Sequence, residues 1–174
     1  MKSWLCAGLA VLCVSVVGTR ATLADDDHNG PVTLSATLRG ANEVPPINSA
    51  GSARFTATIH RDGMIDFQVT FANLSTNLVV SHIHFAPFNV AGGVMIFLCG
   101  GGNQPACPAA TSGTFEGTIT PANVTGPTAQ GITAGDLTSA LRAIGQGEGY
   151  ANIHPTMFPG GEIRGQVKVR GDDN

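Results

Sequence analysis

Apolar and polar residues alternate with a period of two along much of the chain. In VTLSATLRG, Val32, Leu34, Ala36 and Leu38 fall on one face, and Thr33, Ser35, Thr37 and Arg39 on the other. ARFTATIH repeats the pattern with Ala53, Phe55, Ala57 and Ile59, and MIDFQVTF with Ile65, Phe67, Val69 and Phe71. Successive side chains of a strand point to opposite faces, so each segment predicts a strand with one buried and one solvated side. Between the last two, His60-Arg61-Asp62-Gly63 reads as a tight turn, because Asp-Gly supplies the positive-φ positions a hairpin needs.

Five more segments follow the same rule: LVVSHIHF, GGVMIFLC, GTFEGTIT, GEGYANIH and GEIRGQVKV. In the last, Ile163, Gly165, Val167 and Val169 point inward, leaving Glu162, Arg164, Gln166 and Lys168 outward. One stretch departs from the alternation. TAGDLTSALRAIG carries Leu137, Leu141 and Ile144 at helical spacing, with Thr133 and Asp136 placed as a capping box and Gly145 as the stop. About eight short strands joined by Gly, Pro and Asn turns, with one short crossover helix, predict an all-β fold. The expected form is a two-sheet antiparallel β-sandwich, Greek-key-like.

Phasing the histidine segments in the same way separates their faces. In VVSHIHF the inward set is Val79, Ile83 and Phe85, which leaves Val80, His82 and His84 opposite. In GYANIH, Ala151 and Ile153 point inward and Tyr150, Asn152 and His154 share the other face. Side chains two residues apart on one face of a strand emerge about 6.5–7 Å apart. Two imidazoles can tilt from that separation to meet one ion at roughly 2.0–2.1 Å. His154 on a neighbouring strand would make a third ligand and leave one position open, the arrangement of a reactive metal site. Loop hydrogen bonds are the plainer alternative for all three. Imidazole-only ligation suits copper first and zinc second. Asn152 and Glu162 are the residues placed to orient such ligands; Glu162 and Arg164 share a face and can instead pair with each other. His60 belongs to a hairpin tip, and His28 sits in an acidic stretch; neither is a candidate.

The start of the chain has one Lys, an apolar run from Trp4 to Gly18, then small and acidic residues. That is the layout of a secretory signal peptide over 1–24, with cleavage after Ala24; the run is short for a membrane span. An acidic tail over 25–31, a domain over 32–170 and a C-terminal tail over 171–174 would follow, and no later stretch could span a bilayer. Loss of Lys2 and Arg20 with the signal takes the net charge from −3 to −5. Between the tails, seven acidic residues face seven basic ones with no basic run or patch in the sequence. Neither nucleic acid nor an anionic membrane is therefore expected as a partner, which leaves a protein or a small ligand. A secreted or periplasmic location is oxidising, so Cys99 and Cys107, which bracket GGGNQPA, predict a local disulfide.

Several motifs in order resemble one family. They are the Glu-Val-Pro-Pro of Glu43 to Pro46, the His-Ile-His of His82 to His84, the Asn-x-His of Asn152 to His154, and the Gly-Glu-Ile-Arg-Gly-Gln of Gly161 to Gln166. Together they are similar to the CHRD family, the domain named after its occurrence in chordin, from about Leu34 to Val169. FAPFNVAGG after the second histidine is longer than the family's usual loop, and Pro155 stands where Thr is common. The resemblance implies a secreted all-β domain, here expected as a non-enzymatic extracellular or periplasmic binding or matrix module. The histidine pattern is also similar to the copper half of copper–zinc superoxide dismutases, with three candidate ligands instead of four and no His/Asp-rich zinc loop. The alternative expectation is therefore a mononuclear copper-dependent oxidoreductase.

Overall fold

The structure, a computed structural model, describes residues 31–170. The expected signal peptide, Asp25 to Asp27, His28 and the tail over 171–174 lie outside the described residues. The eight predicted strands all form. They are β1 (Val32–Arg39), β2 (Ser52–Ile59), β3 (Ile65–Ala72), β4 (Leu78–Phe85), β5 (Gly93–Cys99), β6 (Gly113–Ile119), β7 (Gly149–Pro155) and a last strand broken at Val167 into β8 (Ile163–Gln166) and β9 (Lys168–Arg170). The helix α1 spans Leu137–Gly145. Asp136 itself is the N-cap, accepting from the Ser139 amide at 2.9 Å, so the capping box expected from Thr133 does not form.

The two-sheet sandwich is not what these strands build. They form one antiparallel sheet in the order β5-β4-β7-β8-β1-β2-β3-β6, whose end strands β5 and β6 come into contact, giving a nearly closed barrel. The joint is the last strand. β8 pairs with β7 (Tyr150↔Gln166, Ile153↔Ile163), while β9 pairs with β1 (Leu34↔Val169, Ser35↔Lys168). A sandwich would leave β5-β4-β7 and β1-β2-β3-β6 as separate sheets; the strand from Ile163 to Arg170 is hydrogen-bonded to both groups and fuses them. Gly165 allows the approach, since a Cβ there would lie 2.2 Å from the Thr37 carbonyl oxygen.

The predicted inward positions fill the barrel. Phe55, Phe71, Ile83, Ile153 and Ile163 are buried to 2% exposure or less, and burying each contributes on the order of 1.5–3 kcal/mol. α1 packs against β7, β4 and β9 and adds Ala140 and Ile144 to the same core. Three expected inward residues are exposed instead: Val32 at the start of β1, Val169 in the short β9, and Val79. A register shift between Leu78 and Val80 places Val79 at a bulge of β4 against β7, which rotates it out of the alternation. Cys99 and Cys107 are joined in a disulfide that closes the loop after β5.

Candidate metal centre

β4 and β7 are antiparallel neighbours, with Val80 opposite His154, His82 opposite Asn152, and His84 opposite Tyr150. Ser81, Ile83, Ala151 and Ile153 take the core side, so alternation turns His82, His84, Asn152 and His154 to the outer face together. The ring centroids of His82 lie 4.4 Å from His84 and 4.5 Å from His154, and His84 lies 6.0 Å from His154. One ligand nitrogen from each of the three falls within 4.8 Å of the others. The convergence anticipated from the spacing is present.

That outer face is not solvated. His82, His84 and His154 are only 6%, 9% and 6% exposed. The connections after β1, β4 and β7 fold over them, and two supply carbonyls to the rings. His84 Nδ1 lies 2.9 Å from the Gly92 oxygen and His154 Nδ1 lies 3.0 Å from the Pro159 oxygen. A carbonyl only accepts, so in each ring Nδ1 carries the proton and Nε2 is left as a lone-pair donor. The nitrogens His82 Nδ1, His84 Nε2 and His154 Nε2 are buried with no hydrogen-bond partner among the described residues. Burial disfavours the imidazolium form and pushes His82 down to about 2 and His84 to about 4, with repulsion between the rings adding to it. His154 is lowered as well, mainly by burial.

The surroundings are aromatic and cationic. Phe97 stands edge-on to His82 at 5.3 Å, and Tyr150 stacks flat on His84 at 4.7 Å. Arg164, opposite Asn152 on β8, sets its guanidinium 4.5 Å from the Tyr150 centroid and donates to the carbonyls of Asn42 and Val90. It thereby ties two covering loops to the sheet. Asn152 is 3% exposed with Oδ1 unpartnered, beside the histidines as its phase requires. Glu162 is also fully buried, but its carboxylate accepts from Ser49 Oγ, Ser75 Oγ and the Ser75 amide, and hydrogen-bonds to neither a histidine nor Arg164. His60 pairs with Asp66 at 2.9 Å on the surface.

Glu43 lies in a loop, where strand alternation assigns no face. It is 6% exposed, its Oε1 has no partner, and burial raises its carboxyl to about 7 against the opposing pull of Arg164. Gly161 explains the packing: at φ +118° a Cβ there would meet Glu43 Oε1 and the Asn152 carboxamide, each at 2.9 Å. The Glu-Val-Pro-Pro motif was the available signal.

Three unpartnered imidazole nitrogens, with two tautomers set by backbone carbonyls, suit a metal ion. Bonds of roughly 2.0–2.1 Å to one ion would require nitrogens about 3.3–3.6 Å apart, somewhat closer than the 4.8 Å that bounds their present separations. The cluster could hold one ion and leave a coordination position for a further ligand. The family model described as the CHRD domain matches residues 34–167, which includes Glu43, all three histidines and Arg164. No curated protein and no solved structure matches the chain.

Proposed function

The chain belongs to the CHRD domain family, and from that premise we propose that it is a secreted or periplasmic metal-binding module. His82, His84 and His154 would hold one ion, copper by preference and zinc second. The observation that carries this reading is a set of three buried imidazoles, each offering a ring nitrogen within 4.8 Å of the others and each carrying a buried nitrogen with no hydrogen-bond partner. Unpaired buried polar atoms are costly, and three in one cluster have a common explanation in a shared cation. Neutral nitrogen donors rank copper above zinc. The secretory location rests on the N-terminal layout together with the Cys99–Cys107 disulfide.

A second reading follows from the number of ligands. Three protein donors leave a position where a small molecule can bind, which supports a mononuclear copper oxidoreductase. Bound copper would supply one-electron chemistry there, while the chain's own residues hold the ligand tautomers and keep the site largely dry.

Protein purified from its native compartment should begin near Asp25 and carry one copper per chain by elemental analysis. Replacing His82, His84 or His154 by Ala should weaken copper binding at least a hundredfold, whereas His60→Ala should leave it unchanged. Equal stoichiometry and affinity in His154→Ala would sink the three-histidine site. Turnover of superoxide or peroxide by copper-loaded wild type but not by His154→Ala separates the oxidoreductase reading from simple binding.

A further inference from the structure

Away from the histidines, the sheet brings together charges that the sequence keeps far apart. The described residues contain seven Lys and Arg, and four of them, Arg39, Arg54, Lys168 and Arg170, are exposed on the outer face of β1, β2 and β9. Register does this. Arg54 lies opposite Thr37, Lys168 opposite Ser35 and Arg170 opposite Thr33, with Arg39 two positions beyond Thr37 on β1 itself. None of the four lies within salt-bridge distance of a carboxylate among the described residues. The chain as a whole carries −3, so this face is opposite in sign to the molecule.

The same face carries two hollows. A hollow of about 520 Å³ is lined by Arg54, Lys168 and Arg170, by Ser35 and Thr37 between them, and by Phe88 at its rim. A second hollow, of about 300 Å³, shares Thr37 and Arg54 and continues past Arg39 to Thr70 on β3. No acidic side chain lines either one. Asp66 and Glu116 line a separate hollow over β3 and β6. The two hollows share Thr37 and Arg54 and so adjoin, making one shallow trough across the strands.

We propose that this trough binds a carboxylated polysaccharide, a polyuronate chain laid across β9, β1 and β2. Three of the four cations are Arg, whose planar fork pairs bidentately with a planar carboxylate. Ser35 and Thr37 place hydroxyls between the cations, where the hydroxyls of a sugar would lie. Phe88 is 58% exposed and offers one flat apolar surface to the C–H face of a sugar ring. Single-stranded nucleic acid would need several aromatics to stack successive bases, and this trough has one. Exposed charge pairs are screened by salt, so the affinity falls steeply with ionic strength.

The test uses the mature full-length chain and polygalacturonate as the probe, with binding followed by isothermal titration at physiological ionic strength. Saturable binding is expected, along with none to the fully methyl-esterified polymer, which keeps the backbone but loses the charge. The double variant Arg54→Glu/Lys168→Glu should lose at least tenfold in affinity. Arg61→Glu/Arg142→Glu, with the same change in net charge elsewhere on the surface, should stay within twofold. Phe88→Ala should lose a few-fold. Thermal unfolding of each variant establishes that it is folded. The proposal is overturned by no saturable binding to folded wild type, by equal binding of the esterified polymer, or by equal losses in the two double variants. Tighter binding of a single-stranded oligonucleotide of matched charge would also overturn it.

Discussion

Glu43 and the histidines are buried on the same side of the sheet but respond to protons in opposite senses. Each histidine has a folded pKa below its unfolded 6.5, so the unfolded chain binds more protons in acid. Their contribution to stability is present above about 6.5 and is lost as pH falls toward about 4, where His84 titrates. Glu43 has a folded pKa near 7 against an unfolded 4.5, so its contribution is complete below 4.5 and lost as pH rises through 7. With three groups against one, metal-free protein should lose denaturant resistance between pH 6.5 and 4. Glu43→Gln removes the opposing contribution, so its stability relative to wild type should improve steadily as pH rises from 4.5 to 7.5. Urea midpoints at half-unit pH intervals measure both effects. Parallel curves for wild type and variant would mean that Glu43 does not titrate as its burial requires.

Strand phase was legible in the sequence because one face of each strand had to be apolar. Phe55, Phe67, Val69, Phe71, Ile83 and Ile153 are buried as the alternation predicts, and the shared face of His82, His84 and His154 follows from the same rule. Local exceptions to the phase were not legible. Nothing in VVSHIHF marks Val79 as a bulge, since that depends on its register with β7. Alternation alone predicts a solvated polar face for β4, β7 and β8; whether loops fold over a face is a long-range fact, and the loops that carry the Gly92 and Pro159 carbonyls cover this one. Two glycines of the β7–β8 connection and β8 separate stability from site geometry. Gly165→Ala drives a Cβ into the Thr37 carbonyl and should destabilise the domain by about 1–3 kcal/mol, the usual penalty of overpacking. Gly161→Ala strains a positive-φ turn and pushes on Glu43 and Asn152, so copper affinity should fall at least tenfold. Calorimetric unfolding and copper titration of both variants check this pairing. Unchanged copper affinity in Gly161→Ala would detach the Glu43–Asn152 packing from the metal centre.

At the scale of the whole molecule, alternation tells which face of a strand is inward but not which strand lies beside it. Eight amphipathic strands satisfy a sandwich and a barrel equally, and the choice rests on how the chain from Ile163 to Arg170 divides its hydrogen bonds between β7 and β1. By the same connectivity, an ion held by the three histidines would stabilise the whole fold. The three histidines stand on β4 and β7, β7 lies next to the strand that joins the two halves, and the loops that hold two of the rings follow β4 and β7. An ion that binds only the folded chain stabilises it by RT ln(1 + [L]/Kd), about 2.7 kcal/mol at a free concentration a hundred times Kd. For a domain of this size each kcal/mol raises Tm by roughly 3–5 °C. Free copper at a hundredfold excess over Kd should therefore raise the wild-type midpoint by about 8–13 °C. It should raise that of His154→Ala by less than about 3 °C. Scanning calorimetry with and without copper, at pH 7 and with the disulfide intact, makes the measurement. An equal rise in wild type and His154→Ala would place the bound ion somewhere other than between β4 and β7. A wild-type midpoint unmoved by saturating copper would mean that the three histidines hold no ion in the folded state.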